Sequence, residues 1–206
     1  MSKSRLEAFS DGVIAIIITI MVLELHAPHG ADWTALRPLV PSVLSYLLSF
    51  VFLGIYWNNH HHLFQATERI NGATLWANLH LLFWLSLIPF VTTWMGENHY
   101  DSVPTAVYAF VMLMCAVAFT ILVRVILSAQ QGANSRLAAA LGSDRKGKLS
   151  LAIYAAAVPL AFVRPAITDV LLVTVALIWF VPDRRIESRF QGMPEHEPSR
   201  EVRSRG

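Results

Sequence analysis

Charge is scarce in this chain of 206 residues. Asp, Glu, Lys and Arg make up 15% of it against 55% for apolar residues, and the mean hydropathy is +0.50. Soluble domains carry roughly a quarter charged residues, so the shortage points to lipid as the solvent. A single cysteine, Cys115, lies inside an apolar block, which excludes an internal disulfide and leaves it as packing. No Gly-x-Ser-x-Gly, His-Glu-x-x-His, phosphate-binding loop or paired-aspartate pattern occurs, so the chain does not read as an enzyme, and no cofactor or nucleic-acid partner is expected. The alternating ten-residue pattern of a β-barrel is missing as well. The first apolar stretch lacks a small-residue cleavage site before Glu24 and His26 and reads as a retained span rather than a signal peptide.

What the chain does have is apolar blocks of about 17–23 residues, long enough to cross roughly 30 Å of hydrocarbon as helices. The expected fold is an all-α membrane protein with spans near Leu6–Leu25, Leu39–Asn59, Ala73–Met95, Pro104–Ser128, Leu149–Val163 and Pro165–Val181. Pro104 and Pro165 suit first-turn positions, where a missing N–H is harmless. The fifth span is the shortest and carries Pro159. Residues 1–181 form the membrane domain, and 182–206 are a basic, proline-containing tail expected to be disordered. Lys3, Arg5, Arg69, Arg136, Arg145, Lys146 and Lys148, together with the tail arginines, fall on one side. Arg37 and Arg164, with Asp32, Glu97 and Asp101, fall on the other. The positive-inside rule puts both termini in the cytoplasm, with the cytoplasmic membrane as location and lipids as partners.

That direction fixes depth. Ser10 and Asp11 lie near the inner end of helix 1, Trp57 to His62 reach the same level on helix 2, and Asn78 and His80 do so on helix 3. An unpaired polar group in hydrocarbon is expensive, so Ser10 and Asp11 are expected to bond across helices. Arg5 and Asp11 stand roughly 120° apart around the axis and cannot pair within helix 1. Asp11 is expected to meet His80 or Asn78 first and the helix-2 histidines second, with His61 and Asn58 as the helix-2 candidates. The layer is either a packing staple or a proton relay or ion ligand. Consecutive helical residues point about 100° apart, so His60, His61 and His62 cannot all face one metal ion, and no metal site is expected.

Helix 1 has a second face. On a helical wheel with Ile16 at zero, Ile20 falls at about +40°, Leu23 at about −20° and Thr19 at about −60°, while Asp11 is about 140° away. Branched apolar residues and one hydroxyl thus share a narrow stripe. Glu24, at about +80° near the outer end, either concentrates cations or faces headgroups.

Arg5-x-x-x-Phe9-Ser10-Asp11 at the start of an apolar span, the Trp57-Asn-Asn-His-His-His-Leu-Phe64 stretch and the Asn78…Pro89-Phe90 pattern resemble the prokaryotic members of the transmembrane protein 175 family of potassium channels. The resemblance covers the six-helix plan and is strongest over residues 5–95. It implies a homotetramer in which helix 1 of each subunit lines the pore with no re-entrant selectivity loop, and no Thr-Val-Gly-Tyr-Gly filter occurs here. It implies a constriction at Ile16, further layers at Ile20 and Leu23, a selectivity hydroxyl at Thr19, and Arg5, Phe9, Ser10 and Asp11 as the motif that anchors helix 1. A serine that some relatives carry before the constriction is Ala15 here. The permeant species implied is the potassium ion, with other monovalent cations alongside it. A small secondary transporter, or a membrane scaffold that moves nothing, are the competing readings. The first would show repeats and broken helices around a midplane site.

Overall fold

Prolines divide the apolar sequence into helices. Pro41, Pro89, Pro104 and Pro165 all sit in first turns, where the missing N–H breaks no hydrogen bond. The computed structural model describes residues 2–67, 69–129 and 145–180. In order they form α1 (Lys3–Leu23), a 3-10 helix (Trp33–Leu39), α2 (Val40–Gln65), α3 (Gly72–Ser86), α4 (Ile88–Glu97), α5 (Ser102–Ala129), α6 (Arg145–Val163) and α7 (Pro165–Phe180). Arg136, Val181 and the tail from 182 lie outside the described residues.

The described residues are all-helical, with no strand among them, and the chain is a membrane protein. Lys3–Leu23, Trp33–Gln65, Gly72–Glu97, Ser102–Ala129 and Arg145–Val163 are long and apolar enough to cross a bilayer, and α7 is a shorter apolar helix of 16 residues. At 1.5 Å per residue α7 rises about 24 Å, somewhat less than the hydrocarbon thickness.

Several boundaries differ from the sequence expectation: α1 starts at Lys3 rather than Leu6 and the fifth span at Arg145 rather than Leu149, and three further differences bear on packing. The third span is two helices rather than one. Pro89 cannot donate to Leu85, and the ladder breaks at Leu87, which caps both α3 and α4. Helix α2 runs on to Gln65 instead of stopping at Asn59, which keeps all three histidines helical. The 3-10 turn before α2 is nucleated by Asp32, whose carboxylate accepts from the Ala35 N–H at 3.0 Å and the Thr34 hydroxyl at 2.9 Å. Those two donors hold the Asp32 carboxyl below the usual carboxylate range.

Helix α5 is the spine. Tyr108, Met112, Cys115, Ala118, Leu122 and Ile126 are buried along it, against α3, α4, α6 and α7. Small residues Ala157 and Ala161 let α6 approach closely. A hydroxyl chain ties α2, α4 and α5 together. Tyr108 donates to Ser49 Oγ at 2.9 Å, Ser49 to Thr92 Oγ1 at 2.7 Å, and Thr92 to the Ile88 carbonyl at 2.6 Å. The direction follows because Thr92 spends its hydrogen on a carbonyl. Helix α1 is held differently, lying at the edge of the bundle and packing chiefly on α2, α3 and α4.

At the opposite end from Ser10, α4 meets α2 with almost no gap. A Cβ at Gly96 would stand 2.7 Å from the Ser42 Cα, a backbone atom that cannot step aside. The following turn is tight as well, with His99 and Tyr100 at φ 51° and 62° and the Tyr100 hydroxyl donating to the Pro41 carbonyl at 2.8 Å. Burial pushes the Tyr100 phenol up to about 12, so it stays a neutral donor. Gly96→Ala is therefore expected to cost about 1–3 kcal/mol, read as a lowered unfolding temperature in detergent. Gly54→Ala, at a site with open space beyond the Cα, is expected to cost nothing. Equal melting of the two variants would contradict the close approach.

Candidate functional site

Successive α1 residues turn by about 100°, so Ser10 and Asp11 cannot share a partner helix. Ser10 is fully buried and faces α3, where Asn78 Nδ2 donates to its Oγ at 2.9 Å. Its own hydrogen goes to the Leu6 carbonyl at 2.9 Å. Since the Asn78 amide nitrogen points at Ser10, its oxygen faces His60, and the 2.8 Å contact requires the proton on His60 Nε2. The result is a one-way chain, His60 to Asn78 to Ser10 to Leu6 O, joining α2, α3 and α1. Ser10, Asn78 and His60 are all buried. The His60 ring also lies against Phe64, with centroids 4.5 Å apart.

Asp11 faces α2 instead, and its partner is neither Asn78 nor His80. Trp57 Nε1 donates to Asp11 Oδ1 at 3.1 Å. Asn78 is already engaged at both ends of its amide. His80 lies two residues on, about 200° around α3, and accepts from Trp84 Nε1 at 3.0 Å. His61 reaches the motif only indirectly. It stacks on Trp57 at 6.0 Å and bonds Gln65 at 2.8 Å. Asn58 is exposed and makes no hydrogen bond among the described residues. His60 is buried whereas His62 is exposed with its ring 5.8 Å from that of His61, and no group of metal-ligating side chains forms among the described residues.

Of the four motif residues expected to anchor α1, Ser10 and Asp11 are the two that hydrogen-bond to neighbouring helices. Arg5 and Phe9 are exposed and bond nothing else in the described chain. They sit eleven and seven residues before Ile16, close to whole numbers of turns, and so continue its stripe toward the N-terminus. A tie missing from the sequence reading replaces them, as Lys3 Nζ donates to the Gln65 carbonyl at 3.1 Å and closes α1 onto the end of α2.

The stripe itself is open. Ile16 is 59% and Leu23 77% exposed, whereas Ile14 and Ile17 on the opposite face are 2% and 3%. Ile20 and Thr19 are exposed too. Thr19 donates its hydroxyl hydrogen to the Ile16 carbonyl at 2.8 Å, which leaves its oxygen lone pairs directed off the helix. Beyond the stripe, Glu24 lines a cavity of about 230 Å³ with His26, Glu97 and His99, between the ends of α1 and α4 and the start of α2.

A family model described as the endosomal/lysosomal potassium channel TMEM175 matches residues 5–89, from Arg5 to the proline that opens α4. A potassium channel of Chryseobacterium sp. (strain P1-3) is 52% identical over 187 residues, which is 91% of this chain and 97% of that one. The chain belongs to the TMEM175 family. A potassium channel of Streptomyces collinus is 38% identical over 125 residues, covering 57% of this chain and 61% of its own length. The crystal structure of a lysosomal potassium-selective channel TMEM175 homolog from Chamaesiphon minutus superposes with a TM-score of 0.77 at 28% identity, over 89% of this chain and 97% of that one. The likeness to that channel therefore spans the bundle and is not confined to the motif.

Two features escaped the sequence reading. The sequence puts Trp57 in the polar layer without indicating its partner. Its indole N–H is the obvious donor for a carboxylate at the same depth, and the azimuth of α2 decides the pairing. Asp169, half-buried in α7, is a lone carboxylate in the run Ile167-Thr-Asp-Val-Leu-Leu, and its isolation was a signal. Asn78→Ala leaves Ser10 and His60 buried without their partner and is expected to cost about 1–3 kcal/mol. Trp57→Phe, at a half-exposed contact, is expected to cost under about 1 kcal/mol. Detergent unfolding midpoints of the two variants check the order, and a reversal would show that Asp11, not Ser10, carries the anchor.

Proposed function

We propose that the chain is a potassium channel, formed by four copies arranged around α1, with the termini in the cytoplasm. The observation that carries this reading is the stripe of Ile16, Ile20 and Leu23. A large apolar face is left uncovered on a helix at the edge of the bundle, while the same helix is pinned on its other side by buried hydrogen bonds. The names of the relatives, a potassium channel at 52% identity and a potassium-selective channel of the same fold, supply the ion.

In this reading Ile16 is the gate. Four isoleucine side chains converging on an axis leave too little room for a hydrated cation and expel water, so the closed pore needs no moving plug. A small rotation or dilation of α1 wets the constriction and passes a partly dehydrated ion. Thr19, one turn further out, offers hydroxyl oxygens to an ion that has lost part of its hydration. The Ser10–Asn78–His60 chain and the Trp57–Asp11 bond set the position of α1 and with it the radius at Ile16, without touching the ion. Other monovalent cations cross in proportion to how well they exchange water for the Thr19 layer.

Purified full-length protein in planar bilayers, with potassium on one side and sodium on the other, tests this. Ile16→Asn is expected to raise potassium conductance several-fold, because a polar ring no longer dewets. Thr19→Val keeps shape but removes the hydroxyl oxygen, and it is expected to shift the reversal potential toward the unselective value. Absence of current in both the wild-type and Ile16→Asn proteins contradicts the proposal.

A further inference from the structure

The half of the bundle away from α1 holds a group of cations that nothing in the described chain neutralises. Arg124 lies in α5, five residues before Ala129, and is exposed on an otherwise apolar helix. That places it about 7–8 Å inside the helix end. Arg145 opens α6 and Lys148 follows one turn on, both exposed. Helices α5 and α6 pack along one another, so the end of one and the start of the other bring the three cations to the same end of the bundle. Among the described residues no carboxylate lies within ion-pair distance of any of them.

The level of the bilayer surface here is marked independently. Trp179, near the end of α7, donates its indole N–H to Ser150 Oγ on α6 at 2.8 Å, and Phe180 beside it is exposed. Tryptophan with its N–H satisfied at a helix end belongs to the interfacial belt. Lys148 and Arg145 come two and five residues before Ser150, and so stand about 3 and 7–8 Å outward of that belt, at headgroup level. Arg124 enters the span from below. A guanidinium in that position extends along its own alkyl stem to an anion at the interface rather than remaining in hydrocarbon.

We propose that Arg124, Arg145 and Lys148 bind the phosphate of an anionic phospholipid in the cytoplasmic leaflet, on the face of the subunit opposite the α1 stripe. The assignment rests on the cytoplasmic placement of the termini and is independent of whether the chain conducts. Arg124 supplies a planar fork for two phosphate oxygens, and Lys148 and Arg145 supply point charges beside it. The lipid would wedge the inner ends of α5 and α6 together with its headgroup outside and its chains along the apolar surface of α5.

The test titrates the full chain in mild detergent with dioleoyl phosphatidylglycerol and, separately, with dioleoyl phosphatidylcholine, counting bound lipids by native mass spectrometry. Wild-type protein is expected to retain the anionic lipid preferentially. Each cation contributes about fivefold, so Arg124→Gln with Lys148→Gln is expected to lower that retention by more than about tenfold and to leave the zwitterionic lipid unchanged. Arg124→Lys keeps the charge without the fork and is expected to retain the anionic lipid more weakly than the wild type but above the double variant, which separates lost charge from lost fold. Arg69→Gln, between α2 and α3, is expected to change nothing. Equal retention of the two lipids by the wild type, or an unchanged preference in the double variant, overturns the assignment. So does release of the anionic lipid by millimolar inorganic phosphate, which would make free phosphate the ligand.

Discussion

A fully buried serine that joins three helices governs this structure. Ser10 lies at the level where α1 enters the hydrocarbon, and an unsatisfied hydroxyl there is penalised more than an ordinary surface one. Its hydrogen goes to the Leu6 carbonyl and its oxygen accepts from Asn78, whose amide oxygen in turn needs a donor, supplied by the proton on His60 Nε2. Three helices are thereby locked in one register by two side-chain bonds. The net gain from each bond is modest, but the loss from breaking one is larger, because the other groups remain buried. This asymmetry, rather than strong attraction, is what fixes α1.

The rest of the architecture follows from holding α1 in that way. The helix has few neighbours, and its apolar contacts through Leu6, Ile14, Ile17 and Met21 occupy one face only. The polar chain fixes rotation about the axis, so the remaining face is presented outward in a set orientation, from Arg5 and Phe9 through Ile16 to Leu23. Helix α5 and the Tyr108–Ser49–Thr92 chain give the rest of the bundle a rigid frame against which α1 is positioned. A helix covered on one face only, set against a stiff support and tied toward its N-terminus by Lys3, Ser10 and Asp11, suits an element that shifts by small amounts.

Much of this was legible in the sequence because depth along a membrane helix is a matter of counting. The rise per residue put Ser10, Asp11, His60 and Asn78 in one layer, and the wheel put Ile16, Thr19, Ile20 and Leu23 on one face. Azimuth between helices is not a matter of counting. Whether Asp11 meets Asn78 or Trp57 depends on how α2 is rotated against α1, which packing decides, and the expected pairing with His80 or Asn78 failed for that reason. The break at Leu87 was hinted at by Pro89, yet a proline in the middle of a span can kink a helix without dividing it. The hydroxyl chain on α2, α4 and α5 was invisible, since Ser49, Thr92 and Tyr108 are each unremarkable in a membrane helix and acquire meaning only where three helices meet. Arg5 and Phe9 were read with the anchor because they belong to the motif, although their wheel positions fall on the stripe.

The central claim is that the uncovered face of α1 surrounds an aqueous path rather than lipid. Substituted-cysteine accessibility during bilayer recording tests it directly, since the sole native cysteine, Cys115, is fully buried. Leu23→Cys should react with a charged, water-soluble thiol reagent and lose its current, while Met21→Cys, buried on the opposite face, should be untouched. Loss of current in Met21→Cys with Leu23→Cys unaffected would place the path on the other side of the helix and contradict the account.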